Sequence, residues 1–131
     1  MSIHFFITPY PALEWESARS DLEIVPDDFA ESFLKKWPNA KLEFTVAGGI
    51  LWQVSEKEGV GFFGELQANK QIVSFEPGNW TTFFDFVIWY REYVAKQYRL
   101  FFFNSSSWDS LEITSQTMKR EINEFLSSSP G

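Results

Sequence analysis

The chain contains no cysteine and only one histidine, His4, among its 131 residues. Without cysteine there is no disulfide scaffold, no thiolate zinc site and no cysteine nucleophile. A single histidine leaves no set of His and Cys metal ligands, and no Asp-rich stretch matches a calcium loop. We therefore expect no metal and no other cofactor.

Recognisable catalytic motifs are also missing. The sequence has no Gly-x-Ser-x-Gly elbow and no phosphate-binding P-loop. Gly59, Gly61 and Gly64 match the bare spacing of a dinucleotide-binding loop. Gly61 and Gly64 lie in a predicted strand that leads to another strand rather than to a helix, so the structural context of that motif is absent. These absences favour a binding role over catalysis.

No stretch of the chain approaches the roughly 20 apolar residues that span a bilayer. The N-terminus has no basic region and reaches Pro9 after one short apolar run, which is typical of a strand and not of a signal peptide. We expect a cytoplasmic protein with no membrane partner.

Basic residues are few and are not clustered, whereas acids are concentrated near the N-terminus. The formal net charge is −7, and residues 1–31 hold seven acids against one base, a net −6. Because phosphate backbones require clustered Lys and Arg, we expect no nucleic-acid partner. We predict instead that the acidic segment steers a basic protein partner. The acids that carry this prediction are Glu14, Glu16, Asp21 and Glu23.

Hydrophobic periodicity predicts an α+β fold with a mainly antiparallel sheet and three helices, in the order β-α-β-β-β-β-α-β-α. The domain is predicted to span 1–126, with 127–131 as a disordered tail. The pattern of residues 8–24 fits a strand, a loop or a lid. The predicted strands are 3–7, a four-stranded meander over 42–46, 50–54, 60–66 and 71–76, and a late strand over 99–103 that is apolar on both faces. The predicted helices are 27–37, 80–97 and 115–126.

Aromatic residues make up 19% of the chain, and most are expected to be core. On the helix predicted over 80–97, the periodicity places four side chains on the face that enters the core. These are Phe83, Val87, Tyr90 and Val94.

Three aromatic residues do not fit this core pattern. Trp89 falls near the polar side of the same helix with Tyr93 beside it, and Trp108 follows a serine run in a predicted loop. We predict that these three contribute to a protein interface, since exposed large aromatics are enriched there. The alternative is that another segment, such as 8–24, covers Trp89 as ordinary core.

Phe63, Glu65 and Glu76 form a second candidate site. Phe63 and Glu65 share one face of a predicted strand, and Glu76 ends the last strand of the meander. Aromatic rings beside carboxylates can hold a sugar or a cationic ligand, in a pocket between sheet and helix. The competing interpretation is that these residues face solvent on the outer side of the sheet.

In overall profile, the chain is similar to small bacterial immunity proteins of toxin–antitoxin pairs, which are short, acidic, free of cysteine and without catalytic motifs. The likeness is one of class and no matched residues carry it. It implies an inhibitor that binds a protein partner with a basic or aromatic-accepting surface. The alternative function is a small-ligand domain or a weakly marked enzyme that uses the aromatic and carboxylate pocket. The oligomeric state is left open.

Overall fold

The computed structural model describes residues 4–11, 20–55, 61–76, 78–104 and 110–128. Within these residues the chain forms one sheet of seven strands together with three helices. The predicted α+β class, the mainly antiparallel sheet and the order of elements are confirmed. The structure adds one short strand, β7, that the sequence did not predict. In chain order the elements are β1 Phe5–Thr8, α1 Pro26–Lys36, β2 Lys41–Phe44, β3 Ile50–Val54, β4 Phe62–Leu66, β5 Val73–Phe75, α2 Trp80–Tyr93, β6 Leu100–Asn104, β7 Leu111–Ile113 and α3 Lys119–Ser128.

The strands lie in the order β2-β3-β4-β5-β1-β6-β7, and every pair in the described residues is antiparallel. β2 to β5 form the meander predicted from their alternating pattern. β1, the first strand along the chain, lies between β5 and β6. All five residues of β6 are buried, as expected for an interior strand that is apolar on both faces.

The helices cover one face of this sheet. Trp52 on β3 contacts Phe29 and Phe33 of α1 and Phe86 of α2, with ring centroids 5.0 to 5.7 Å apart. At the other end of the sheet, Phe102 of β6 lies 5.9 Å from a ring of α3. The core is therefore a layer of aromatic rings between the sheet and the helices.

Gly64 makes room for the largest ring in this layer. It lies directly opposite Trp52 in the β3–β4 ladder, and a Cβ at this position would overlap the Trp52 indole. Its backbone is not in the left-handed region, which among the described glycines is occupied by Gly48 and Gly78. Space, rather than backbone freedom, therefore explains the glycine.

The predicted core face of α2 is confirmed, since Phe83, Val87, Tyr90 and Val94 are all buried. The helix is shorter than the predicted range 80–97 because it ends at Tyr93, where Val94 takes an extended conformation. The Arg91 guanidinium holds the chain there, as it donates hydrogen bonds of 2.8 to 3.0 Å to the carbonyls of Val94, Ala95 and Tyr98.

The last helix begins later than predicted. Residues 114–117 form a turn in which the Thr117 hydroxyl accepts a hydrogen bond of 2.8 Å from the Thr114 N–H. Met118 precedes the helix and is exposed, whereas Ile122 within the helix is buried. The helix runs to Ser128, and residues 129–131 of the predicted tail lie outside the described residues.

Candidate binding surface

The sheet face opposite the helices, here called the open face, carries the alternate residues of each strand. On β3, Ile50, Trp52 and Val54 point into the core, whereas Leu51 and Gln53 are exposed on the open face. The registers of the ladders then place residues of the other strands beside them. Across the meander, the open face presents Lys41, Glu43, Leu51, Gln53, Phe63, Glu65, Ser74 and Glu76.

Two exposed apolar side chains lie at the centre of this surface. Leu51 is 42% exposed and Phe63 is 38% exposed. They are diagonal neighbours, since Leu51 pairs with Glu65 and Phe63 pairs with Gln53. Two adjoining grooves of about 340 and 430 Å³ both include Leu51, Phe63 and Gly64 in their walls. We call these together the open-face groove.

Carboxylates border the groove on both sides. Glu43 and Glu65 are the direct partners of Leu51 on the two neighbouring strands. Glu76 also lines the groove, and its Oε1 lies 3.4 Å from Nε2 of His4. Three carboxylates therefore lie around the apolar centre, together with Lys41 and His4.

The open face is not uniform along the sheet. On the β1–β6 side, Phe6 stacks on Phe103 at 5.3 Å, and the Arg99 guanidinium lies 5.0 Å from the centre of the Phe101 ring. Phe101 and Phe103 are buried although they lie on this face. The exposed apolar surface is therefore confined to the part formed by β3 and β4.

Phe63, Glu65 and Glu76, predicted as a possible pocket, are brought together by the structure. They line the same groove, which lies on the open face, the outer side of the sheet that the competing interpretation gave, and not between sheet and helix. The reason is strand alternation: Phe62 and Leu66 enter the core, so Phe63 and Glu65 must point the other way. Leu51 was missed, although a leucine between the inward residues of β3 was the available signal.

Trp89 and Tyr93, predicted as interface residues, pack between α1 and α2. The Trp89 ring lies 5.5 to 5.7 Å from Phe29, Phe33 and Trp37, and it stacks on Tyr93 at 5.3 Å. Trp89 is thus partly buried, as the alternative held, and rings of α1 and Trp37 contact it. Residues 12–19 of the segment expected to cover it lie outside the described residues. Both side chains support the contact between the helices.

Tyr93 also makes a polar contact across this helix pair. Its hydroxyl donates a hydrogen bond of 2.7 Å to Oδ2 of Asp28 on α1. Burial, with a further contribution from this hydrogen bond, raises the pKa of Tyr93 above its ordinary value. Both effects favour the neutral phenol in the folded protein.

Only part of the predicted acidic surface can be located. Asp21 and Glu23 are exposed, while their neighbours Leu22 and Ile24 are buried in the core. The Ile24 N–H donates a hydrogen bond of 2.8 Å to the Lys70 carbonyl, which fixes this segment beside the β4–β5 turn. Glu14, Glu16 and Trp108 lie outside the described residues.

A second cleft, of about 280 Å³, lies at the C-terminal end of α2 and contains Arg91, Lys96, Arg99 and Glu112. Its guanidinium groups already have partners: Arg91 binds three backbone carbonyls, and Arg99 contacts both carboxylate oxygens of Glu112 at 2.9 and 3.1 Å. The hydrogen bond from Arg99 lowers the pKa of Glu112. Both guanidinium groups of this cleft therefore bind other parts of the same chain.

Comparison with protein-family models, with curated proteins and with solved structures finds no match to this chain. In the part of the chain that the structure describes, no group of three or more His, Asp or Glu side chains is arranged to hold a metal ion. None of the helices there has the length and apolar character needed to cross a bilayer. The open-face groove is therefore the candidate binding site among the described residues.

Proposed function

We propose that this protein is a binding domain that receives a basic protein partner in the open-face groove. The observation that carries the proposal is the pair of exposed apolar side chains, Leu51 and Phe63, at the centre of a sheet surface bordered by carboxylates. Exposed apolar patches rimmed by polar groups are typical of protein interaction sites. Among the described residues, the helices bury the other face of the sheet and leave Leu51 and Phe63 exposed on this one.

Charge supports a basic partner. Glu43, Glu65 and Glu76 contribute negative charge at the groove, and the whole chain carries a net −7. Such a charge accelerates encounter with a positively charged protein, and the effect weakens as salt rises. An inhibitor of a basic toxin, as the likeness to immunity proteins implies, is one concrete version of this function.

A small cationic ligand is the second candidate for the same groove. Phe63 lies beside the carboxylates of Glu65 and Glu76, and a ring next to acids attracts a cation. The groove is open to solvent, however, whereas small-molecule sites usually enclose most of the ligand surface. A protein partner covers an open groove more completely, so it is the function that we favour.

The proposal is tested by affinity capture from the native host at low salt, with the full chain as bait. The double variant Leu51→Thr with Phe63→Thr removes the apolar centre and keeps residues that suit a strand. Leu34→Thr, on the exposed side of α1, is the matched control because it removes a comparably exposed leucine from the helix layer.

We expect a basic protein that binds the natural chain and the Leu34 variant, and that binds the double variant at least about tenfold more weakly. The affinity should also fall as salt is raised. Equal binding by the natural chain and the double variant, both shown to be folded by circular dichroism, would remove the open face from the interaction. Binding lost only in the Leu34 variant would assign the interaction to the helix layer.

A further inference from the structure

The outer edge of β2 is a second exposed surface, and it adjoins the open-face groove at Lys41 and Glu43. β2 is the first strand of the sheet, and within the described residues it pairs only with β3. Phe44, its last residue, is 52% exposed. An exposed edge strand is a template for pairing with another chain, and natural sheets usually protect such an edge.

The turn after β2 determines which backbone groups face outward. The Thr45 N–H donates a hydrogen bond of 2.9 Å to the Gly49 carbonyl. Hydrogen-bonded pairs alternate along an antiparallel ladder, so Glu43 and Lys41 are bonded to β3. The N–H and C=O groups of Leu42 and Phe44 therefore point away from β3, and no other strand of the described residues pairs with them.

We propose that two copies of this chain pair through β2, antiparallel and about a twofold axis at Leu42. In this register Leu42 of one copy lies opposite Leu42 of the other, and their outward backbone groups bond to each other. Lys41 of each copy then lies opposite Glu43 of the other. Phe44 of one copy lies opposite Ala40 of the other. The Ala40 carbonyl then accepts a hydrogen bond from the Phe44 N–H, while the Ala40 N–H stays bonded to the Trp37 carbonyl of its own copy.

The charges of β2 favour this register over the one with the twofold axis at Glu43. A twofold axis at Glu43 would set the two Glu43 carboxylates directly against each other, and like charges across a ladder are destabilising. The axis at Leu42 instead makes two Lys–Glu pairs on the open face. A strand whose charges are complementary to its own antiparallel copy fits the closed, self-complementary geometry of a twofold dimer.

The dimer leaves the apolar centre of the proposed binding site accessible, while Glu43 at the border of the groove takes part in the Lys–Glu pairs. Pairing at the edge extends the sheet sideways, so the apolar centre formed by Leu51 and Phe63 remains uncovered in both copies. The two open-face grooves would then lie on one continuous sheet. The dimer does not depend on the proposed function, and its test uses variants that keep Leu51 and Phe63.

Charge reversal tests the pairing in solution. Sedimentation velocity of the full chain at low salt, from about 1 μM to about 1 mM, covers the range expected for a small interface. Lys41→Glu or Glu43→Lys alone should weaken the dimer about tenfold, since each turns two attractive pairs into repulsive ones. The double reversal should restore the natural affinity. Arg120→Glu, at an exposed residue of α3, is the control with the same charge change as Lys41→Glu.

The absence of cysteine allows a direct test of the register. Opposing residues of a hydrogen-bonded pair have Cα atoms about 5.5 Å apart, within disulfide range. Under mild oxidation we expect Leu42→Cys to form covalent dimers faster than Glu43→Cys or Phe44→Cys, with each variant shown to be folded by circular dichroism.

Four outcomes overturn the proposal. A natural chain that is monomeric at every concentration has no such pairing. A dimer that the single reversals leave unchanged uses another surface. Single reversals that weaken the dimer without rescue by the double reversal, or faster cross-linking at Glu43 than at Leu42, contradict the proposed register.

Discussion

Gly64→Ala is expected to destabilise the protein because the space beside Gly64 is filled by the Trp52 indole. The added methyl group would overlap that ring, and the ring cannot easily move. Trp52 is 3% exposed and is held by Phe33 at 5.3 Å and Phe86 at 5.0 Å. Something in the aromatic layer must therefore shift.

The size of the effect follows from two opposing contributions. Overpacking a filled core costs about 1–3 kcal/mol. Replacing a strand glycine by alanine recovers up to about 1 kcal/mol through reduced chain entropy. We therefore expect a net loss of about 1–2 kcal/mol in the free energy of unfolding.

A second substitution isolates the cause. Trp52→Phe vacates the space that the methyl group needs. It also removes an indole N–H that has no hydrogen-bond partner in the described residues, which offsets part of the lost packing. In this background Gly64→Ala should be neutral or stabilising, so the two changes should couple by about 2 kcal/mol.

Urea denaturation followed by far-UV circular dichroism measures all four proteins without relying on tryptophan fluorescence. The natural chain, the two single variants and the double variant complete the cycle. If Gly64→Ala costs less than about 0.5 kcal/mol in the natural chain, or costs the same in both backgrounds, steric conflict with Trp52 is not the reason for the glycine.

Three further predictions concern the helices. Phe83→Ala should cost about 3–5 kcal/mol in urea denaturation because the ring is fully buried against β1, β5 and β6; a loss below about 1 kcal/mol would contradict the helical phase of α2. Arg91→Ala should cost about 2–4 kcal/mol by the same measurement, because the guanidinium binds three carbonyls. Arg91→Lys should recover little of this loss, since an ammonium group cannot replace the planar fork. Full recovery by lysine would show that the positive charge alone suffices. Burial raises the pKa values of Tyr90 and Tyr93. The stabilisation that comes from keeping both phenols neutral is therefore complete below the unfolded value of about 10 and is lost as pH rises above it. Tyr93→Phe should reduce the slope of the melting temperature against pH above about pH 10, and an unchanged slope would contradict this.

The fold was predictable where local patterns and packing agree. The meander follows from alternating strands and polar turns, and the core face of α2 follows from its wide apolar surface. The end of α2 was not predictable, because the Arg91 side chain binds carbonyls up to Tyr98 and stops the helix. β7 has three residues, Leu111–Ile113, too few to give a periodic signal.

The candidate site was only partly predictable for a different reason. Alternation places Phe63 and Glu65 on one face of β4, but it does not say which face the helices cover. That choice depends on where α1 and α2 pack. The same long-range packing decides Trp89, since α1 covers it and nothing in the periodicity of α2 indicates this.

The location of the interface is tested most directly by carboxylate footprinting of the complex with the captured basic partner. Carbodiimide labelling with mass spectrometry compares each acid in the free and bound protein. We predict that labelling of Glu65 and Glu76, which line the open-face groove, falls on binding. Labelling of Glu31 on α1 and Glu121 on α3, both exposed, should be unchanged. Protection of Glu31 or Glu121 with Glu65 and Glu76 still labelled would place the partner on the helix layer and contradict the account.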